Sequence, residues 1–372
     1  MCSPDISATS SGDKLAHRRG CDYKRKMKSR TFLSLVLLAL LQTAHGQSYN
    51  LLKSIAIGGE GGWDYLSIDA KARKLYVTHA SKIVIVDLAQ DKVAGEIADT
   101  LGVHGFAIPP ELERGFSSNG AEARVSVVDL ITLRTISKVE TGENPDAILY
   151  EPGRAEVYAF NGRGKSATVI DAKTAKVLGT VPLAGKPEFA AADPKSGRVF
   201  CNIEDKNALA VINTKTHTVT AMWPLAPGEE PTGMAIDGAH HRLFVGCHNK
   251  LMAMLDSNTG KIIATVPIGA GVDACAFDDA TQLAFASCGD GTLTIVKEET
   301  PDKLTVVQTL ATERGARTMA LDPVTHRIYV ATAEIAPQRG NPSPLSGERR
   351  RSDYVPGTFH LLVYGTNEST AL

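Results

Sequence analysis

Hydrophobic and polar residues alternate along most of the chain in short runs, which are separated by turn clusters rich in Asp, Asn, Gly and Pro. Residues 74–88, KLYVTHASKIVIVDL, show the pattern: two alternating runs flank a turn, and the second run ends at Asp87. Alternation with a period of two is typical of strands that bury one face, whereas amphipathic helices repeat apolar residues every three to four positions. The pattern predicts an all-β chain with essentially no helix after residue 46.

The same pattern recurs with a period of about 42 residues. Each unit has an acidic or turn residue at the end of its first predicted strand, which we call the marker: Asp69, Pro109, Glu151, Asp193, Asp237, Asp278 and Asp322. An aromatic residue follows seven positions after every marker: Tyr76, Phe116, Tyr158, Phe200, Phe244, Phe285 and Tyr329. Aromatic residues make up only 6% of the chain, so this regularity indicates one repeated structural unit.

Four predicted strands in a repeat of this length are typical of a β-propeller blade. Residues 51–58 resemble the fourth strand of other units, but no first three strands precede them. The last unit has three strands, the third from Phe359 to Tyr364, and lacks a fourth. We therefore predict a seven-bladed β-propeller with four antiparallel strands per blade, whose last blade is closed by the N-terminal strand.

Two units depart from the repeat. The sixth has Lys297-Glu298-Glu299 where other units have an acidic strand end and a turn. The seventh carries a Pro-rich insertion that includes the run Glu348-Arg349-Arg350-Arg351. Because such a composition does not pack, we predict a disordered surface loop at about 336–358, either a solvated charge run or an arm for an acidic partner.

The first 46 residues are typical of a secretory signal peptide. Basic residues from Lys24 to Arg30 precede an apolar run, Phe32 to Leu41, and the small residues Ala44 and Gly46 follow it. The run is about half of the roughly 20 residues that a spanning helix needs. We predict a signal peptide at 1–46, with Met27 as an alternative start, and a single domain at 47–372 that is secreted or periplasmic and has no membrane span.

Charge and cysteine content limit the partners and the redox chemistry. Residues 1–46 hold 8 of the 40 Lys and Arg residues and 3 of the 41 Asp and Glu residues, which leaves the exported chain a net charge of −6. Such a surface does not favour nucleic acid, and we expect a monomer. The exported chain has Cys201, Cys247, Cys275 and Cys288, without metal-binding spacing, so we predict buried thiols. A disulfide between Cys275 and Cys288 is the alternative.

A ring of polar residues is predicted around the central channel, because the first strand of every blade lines that channel. The residues five positions before the markers are Asp64, His104, Asp146, Glu188, Thr232, Asp273 and Arg317. Their polarity has three interpretations: solvated groups in a wet channel, a site for a small ligand or protein partner, or a site for a divalent cation. Trp63, beside Gly61 and Gly62, is a further candidate ligand contact, whereas Phe106 and Phe189 are predicted to pack between blades.

Other motifs exclude common chemistries. The chain has no G-x-S-x-G nucleophile elbow and no C-x-x-C-H haem site. Residues 162–166, GRGKS, lack the first glycine of a phosphate loop and the helix that would follow it. His240 and His241 lie in a predicted hairpin turn, where exposed histidine is expected.

The repeat resembles that of the YVTN-repeat β-propellers, the YncE-like proteins, across residues 49–366. Leu75-Tyr76-Val77-Thr78-His79 is close to the Y-V-T-N signature, and the strand Ile83 to Asp87 and the turn Thr259-Gly260-Lys261 also fit. The resemblance implies an exported bacterial protein that acts as a binding or scaffold module. Related propellers also occur within redox enzymes, so it implies no single reaction.

We therefore expect a non-catalytic binding or scaffold propeller without a cofactor, which recognises a small ligand or an envelope protein at the channel mouth. The alternative is a metal-assisted hydrolase with lactonase-like activity, in which Asp64, Asp146, Glu188 and Asp273 hold a divalent cation and His104 moves a proton. An accessory subunit of a larger envelope complex is a third interpretation.

Overall fold

The computed structural model describes residues 48–336 and 354–367. The predicted signal peptide lies outside the described residues, as do residues 337–353 of the predicted loop. Within the described ranges the chain is all-β, and its only helix is one 3₁₀ turn, Glu204–Lys206. No helix among these residues is long and apolar enough to cross a membrane.

The strands form seven four-stranded antiparallel sheets, so the predicted seven-bladed propeller is confirmed. The strands of blades 1 to 3 are β2 (Trp63–Asp69), β3 (Lys74–His79), β4 (Lys82–Asp87), β5 (Lys92–Ile97); β6 (Val103–Ala107), β7 (Arg114–Asn119), β8 (Arg124–Asp129), β9 (Arg134–Glu140); and β10 (Pro145–Glu151), β11 (Glu156–Asn161), β12 (Ser166–Asp171), β13 (Val177–Pro182). Those of blades 4 to 6 are β14 (Pro187–Asp193), β15 (Arg198–Ile203), β16 (Ala208–Asn213), β17 (Thr218–Pro224); β18 (Pro231–Asp237), β19 (Arg242–Cys247), β20 (Leu251–Asp256), β21 (Ile262–Pro267); and β22 (Val272–Asp278), β23 (Leu283–Cys288), β24 (Thr292–Thr300), β25 (Lys303–Ala311). Blade 7 contains β26 (Thr318–Asp322), β27 (Arg327–Thr332), β28 (His360–Thr366) and β1 (Tyr49–Ala56).

The N-terminal strand closes the ring as predicted. β1 pairs with β28, so the last blade is assembled from both ends of the described chain. Tyr49 is buried in this strand, and its hydroxyl donates a hydrogen bond to the carbonyl of His326 at 2.9 Å. An ion pair joins the first and last blades, since the guanidinium of Arg73 makes two 2.7 Å hydrogen bonds with the buried carboxylate of Asp322.

The hydrophobic core lies between neighbouring blades. All seven repeated aromatics are buried, from Tyr76 to Tyr329. The innermost strands β2, β6, β10, β14, β18, β22 and β26 each lie beside the next, and β26 lies beside β2. All four cysteines of the described chain are buried free thiols, as predicted, and Cys275 and Cys288 are not bridged.

Antiparallel order gives the propeller two distinct ends. At the mouth end, the innermost strands begin, and both the links between blades and the turns between second and third strands lie there. At the opposite end, which we call the turn end, the six acidic markers cap the turns between first and second strands. Asp237 shows the cap, because its carboxylate accepts the backbone N–H groups of Ala239 and His240.

Candidate functional site

The predicted ring residues occupy equivalent positions at the mouth end. Six of them are the second residue of an innermost strand, and Arg317 directly precedes β26. In blades 1 to 6 this position lies in a β-bulge, where the innermost strand has one residue more than its partner. A bulge interrupts the ladder and redirects a side chain, which explains why charged residues recur on an otherwise apolar strand.

Side chains of the preceding blade hold two of the bulges and the equivalent position of blade 7 in place. The Ser118 hydroxyl donates a 2.5 Å hydrogen bond to the carbonyl of Asp146, and the Asn202 amide donates one of 2.8 Å to the carbonyl of Thr232. The Ser287 hydroxyl donates to the carbonyl of Arg317. Each donor is the fifth residue of a second strand. A small or polar residue at that repeat position could have predicted these contacts from the sequence.

One side of the ring contains a cluster of three residues, which we call the mouth cluster. His104 Nδ1 lies 2.6 Å from Asp64 Oδ2 and 3.5 Å from Asp146 Oδ1. The side chains keep 15 to 26% of their surface exposed, so they are enclosed but reachable through the channel. One ligand atom from each residue lies within 4.8 Å of the others, and imidazole with two carboxylates is a ligand set that divalent transition metals accept.

The other ring carboxylates already have cationic partners. Asp273 Oδ2 lies 2.7 Å from the Nε of Arg317, and Glu188 Oε1 lies 2.6 Å from the Nζ of Lys186. Lys186 also binds Glu204 at 2.6 Å. Lys186 was not predicted as a site residue, because it lies in a link between blades and has no counterpart in the repeat.

Burial raises the pKa of three ring carboxyls. The pKa of Asp146 rises to about 6, mainly through burial; the charge of His104 opposes the rise, and Asp64 adds to it. Burial and the charge of Asp146 raise the pKa of Glu188 well above its ordinary value. Burial also raises the pKa of Asp273, although Arg317 opposes this. The ring therefore lacks enough water around these three carboxyls to stabilise their charged forms fully.

Tyr65 lies among these charges. Its pKa is raised well above the ordinary value by burial and then by Asp146, Glu188, Asp64 and Asp273. Its ring packs edge-to-face against Phe189, with centroids 5.4 Å apart. Tyr65 follows the ring residue Asp64 in the chain, and the structure shows that it senses all four carboxylates.

Two predicted ligand contacts are committed to packing. Thr232 is only 5% exposed, and its hydroxyl donates a 2.8 Å hydrogen bond to the carbonyl of Val272, which links blades 5 and 6. Trp63 is 8% exposed and packs against Tyr354 and Phe359, at centroid distances of 4.6 and 4.8 Å. Phe106 is buried against Tyr76, in agreement with its predicted packing role.

No protein-family model matches the chain, and no curated protein is significantly similar to it. The chain is thus assigned to the seven-bladed β-propellers by its structure.

Proposed function

We propose that this protein is an exported propeller of the YVTN-repeat type that binds a positively charged small ligand at the mouth end, without converting it. The repeat signature and the signal-like N-terminus support the family and the export. The choice of a cationic ligand rests on the charges of the ring.

The main support for a cationic ligand is the excess of carboxylates enclosed at the mouth end. Four carboxylates surround Tyr65, while Lys186 and Arg317 each pair with one of them. The mouth cluster keeps two carboxylates beside a single imidazole. A cation placed between them would lower the mutual repulsion of the carboxylates and regain part of the hydration free energy lost on burial.

The surroundings suit a small organic cation. Tyr65 and Phe189 provide an aromatic surface beside the carboxylates, and ring faces attract ammonium and guanidinium groups. A pocket with a few convergent polar groups and aromatic walls is the usual form of a ligand site.

Calorimetric titration of residues 47–372 tests the proposal. Alkyl diamines and guanidinium compounds are the probes, and dicarboxylates of the same length are the anionic controls. Binding is expected for the cations alone. Asp146→Asn is expected to weaken it about 10- to 100-fold, because a charge-assisted contact contributes roughly 1.5–3 kcal/mol.

Glu140→Gln is the matched control, since it removes the same charge from an outermost strand where the side chain is 86% exposed. Its affinity should equal that of the unmodified protein. Equal binding of cations and dicarboxylates, or no binding of either, would contradict the proposal.

The mouth cluster also supports a second candidate function, a metal-assisted hydrolase. Lys186 and Arg317 occupy Glu188 and Asp273, so the ion-binding set narrows from the four carboxylates first considered to Asp64 and Asp146 with His104. In that arrangement His104 would be a ligand, and a metal-bound water would be the nucleophile. Metal analysis and lactone hydrolysis assays of the unmodified protein and of Asp64→Asn distinguish the two functions. If the protein is a binding module, it should hydrolyse lactones no faster than the variant does.

A further inference from the structure

A second group of metal-ligating side chains lies at the turn end, between blades 5 and 6. Asp237 ends β18, His240 follows in the turn, and Glu298 belongs to the irregular part of β24. We call these three residues the turn-end cluster. Asp237 lies five strand positions from the ring position Thr232, a span of roughly 17 Å, so this cluster is distinct from the mouth cluster.

The three side chains converge. One ligand atom from each lies within 4.8 Å of the others, and His240 Nδ1 is 2.5 Å from Asp237 Oδ2. Asp237 is fully buried and Glu298 is 4% exposed, whereas the His240 side chain is 43% exposed. Two carboxylates are thus enclosed by protein, and one imidazole covers them from the solvent side.

Glu298 has no compensating hydrogen bond. No donor among the described residues reaches either of its carboxylate oxygens, and both are buried. It faces Asp237 instead; burial and then the charge of Asp237 raise its pKa to about 7. An uncompensated buried carboxylate is costly, so the pair needs a positive charge or a proton.

The charge of Arg242 opposes this rise in the pKa of Glu298 only in part, because Arg242 makes no hydrogen bond to Glu298. The guanidinium of Arg242 donates to the carbonyls of Pro301, His240 and His241 and to Asp256 and Asp302. Asp279 adds another negative charge close to Asp237. Burial and then the charge of Asp237 raise the pKa of Asp279.

We propose that Asp237, His240 and Glu298 bind a divalent transition-metal ion of the zinc class. Two carboxylate oxygens and one imidazole nitrogen form a three-residue ligand set, and exposure beside His240 leaves room for a water as fourth ligand. The ion would replace the contact between His240 and Asp237, since the exposed imidazole can turn to share the ion. It would also tie blade 5 to the long hairpin of blade 6.

The test is a Co²⁺ titration of chelator-treated protein, residues 47–372, monitored by visible absorbance. Zn²⁺ is then added as the competitor. All variants carry Asp146→Asn, which removes a ligand of the mouth cluster. Glu298→Gln keeps the shape of the side chain and removes its charge. His240→Asn and His241→Asn form a matched pair, because the same change is made at neighbouring residues of one turn and both histidines are exposed.

The expected result is one Co²⁺ per chain, displaced by Zn²⁺, in the Asp146→Asn protein and in its His241→Asn derivative. Binding should weaken at least about 10- to 100-fold in the Glu298→Gln and His240→Asn derivatives, because loss of a ligand should cost no less than loss of a residue that only supports one. No Co²⁺ binding by the Asp146→Asn protein, or unchanged binding by its His240→Asn derivative, would overturn the proposal. Because His240 is exposed, its substitution should leave the fold intact. The second outcome is therefore decisive even if Glu298→Gln impairs folding.

Discussion

His104 Nδ1 lies 2.6 Å from Asp64 Oδ2, although 40 residues, about one repeat, separate the two in the chain. The contact joins blades 1 and 2 and brings the imidazole within 3.5 Å of Asp146 in blade 3. Equivalent positions on neighbouring bulged strands thus become one cluster, whose properties can be tested residue by residue.

Removal of His104 should raise the pKa of Asp146 further. The charge of His104 opposes the effect of burial, which already holds that pKa at about 6. In His104→Ala the carboxyl should therefore titrate above pH 6, as measured by carbon NMR of labelled carboxyl groups. His241→Asn, at an exposed histidine of the turn end, is the control. An unchanged Asp146 titration in His104→Ala would show that the two groups do not interact.

Binding of a cationic ligand should weaken as the pH falls through about 6. Asp146 is ionised above its raised pKa and neutral below it, so acidification removes a negative charge from the site. Calorimetric titration at pH 7.5 and pH 5 measures the effect. In Asp146→Asn the affinity should change much less between these pH values; an equally steep change would assign the pH dependence to another group.

Stability should decrease at acidic pH through His79. Burial lowers the pKa of this imidazole, and Lys82 adds to the effect, so the folded protein disfavours the proton that the unfolded chain accepts. The contribution is present above the ordinary pKa of histidine, about 6.5, and is lost progressively as the pH falls below it.

His79→Asn should reduce this loss, because asparagine does not titrate and stands at the same repeat position as Asn119 and Asn161. Urea unfolding at pH 7 and pH 5 is the measurement. His241→Asn, which removes an exposed histidine, should leave the acid sensitivity as it was. A His79→Asn protein as acid-sensitive as the original would contradict the prediction.

Asn202→Ala should destabilise the fold by about 1–3 kcal/mol, since it leaves the buried carbonyl of Thr232 without its donor. Denaturant unfolding measures the change. Asn258→Ala is the control: its amide oxygen contacts Arg198 at the surface, and its loss should cost less than about 0.5 kcal/mol. Equal effects of the two substitutions would mean that the contact between blades 4 and 5 contributes nothing.

Ring closure should be sensitive to Tyr49. Its side chain is buried, packs edge-to-face on Phe285 with centroids 5.3 Å apart and bonds to the His326 carbonyl. Tyr49→Ala should cost about 3–5 kcal/mol in the free energy of unfolding. Leu51→Ala in the same strand, where the side chain is 54% exposed, should stay within about 0.5 kcal/mol; a similarly small effect of Tyr49→Ala would argue against a tightly held closure.

The fold was predictable because its determinants are local and repeated. The aromatic seven positions after each marker is buried in every blade, and the alternating runs became strands with the predicted order. Closure by residues 49–56 followed from a missing fourth strand at one end and a spare strand at the other. A repeat reports the same physical requirement seven times, so single irregularities do not obscure it.

The candidate site was predictable only in part. The ring positions were found from the repeat, but the partners of the side chains were not. Three features depend on neighbours that differ from blade to blade: the ion pair of Lys186 with Glu188, the hydrogen bond from Thr232 to Val272 and the burial of Trp63. A repeat pattern carries no information about such individual contacts.

The sequence by itself determined the number of blades, their closure and the collection of charged residues at one end of the channel, because period and alternation dictate which faces must be buried. Tertiary structure decided which charges are neutralised and which remain. It also joined Glu298, an irregularity of the sixth unit, to Asp237 and His240 of the fifth. Pairing of charges depends on distances of a few ångström between side chains that are remote in the chain, and only the packing of neighbouring blades sets those distances.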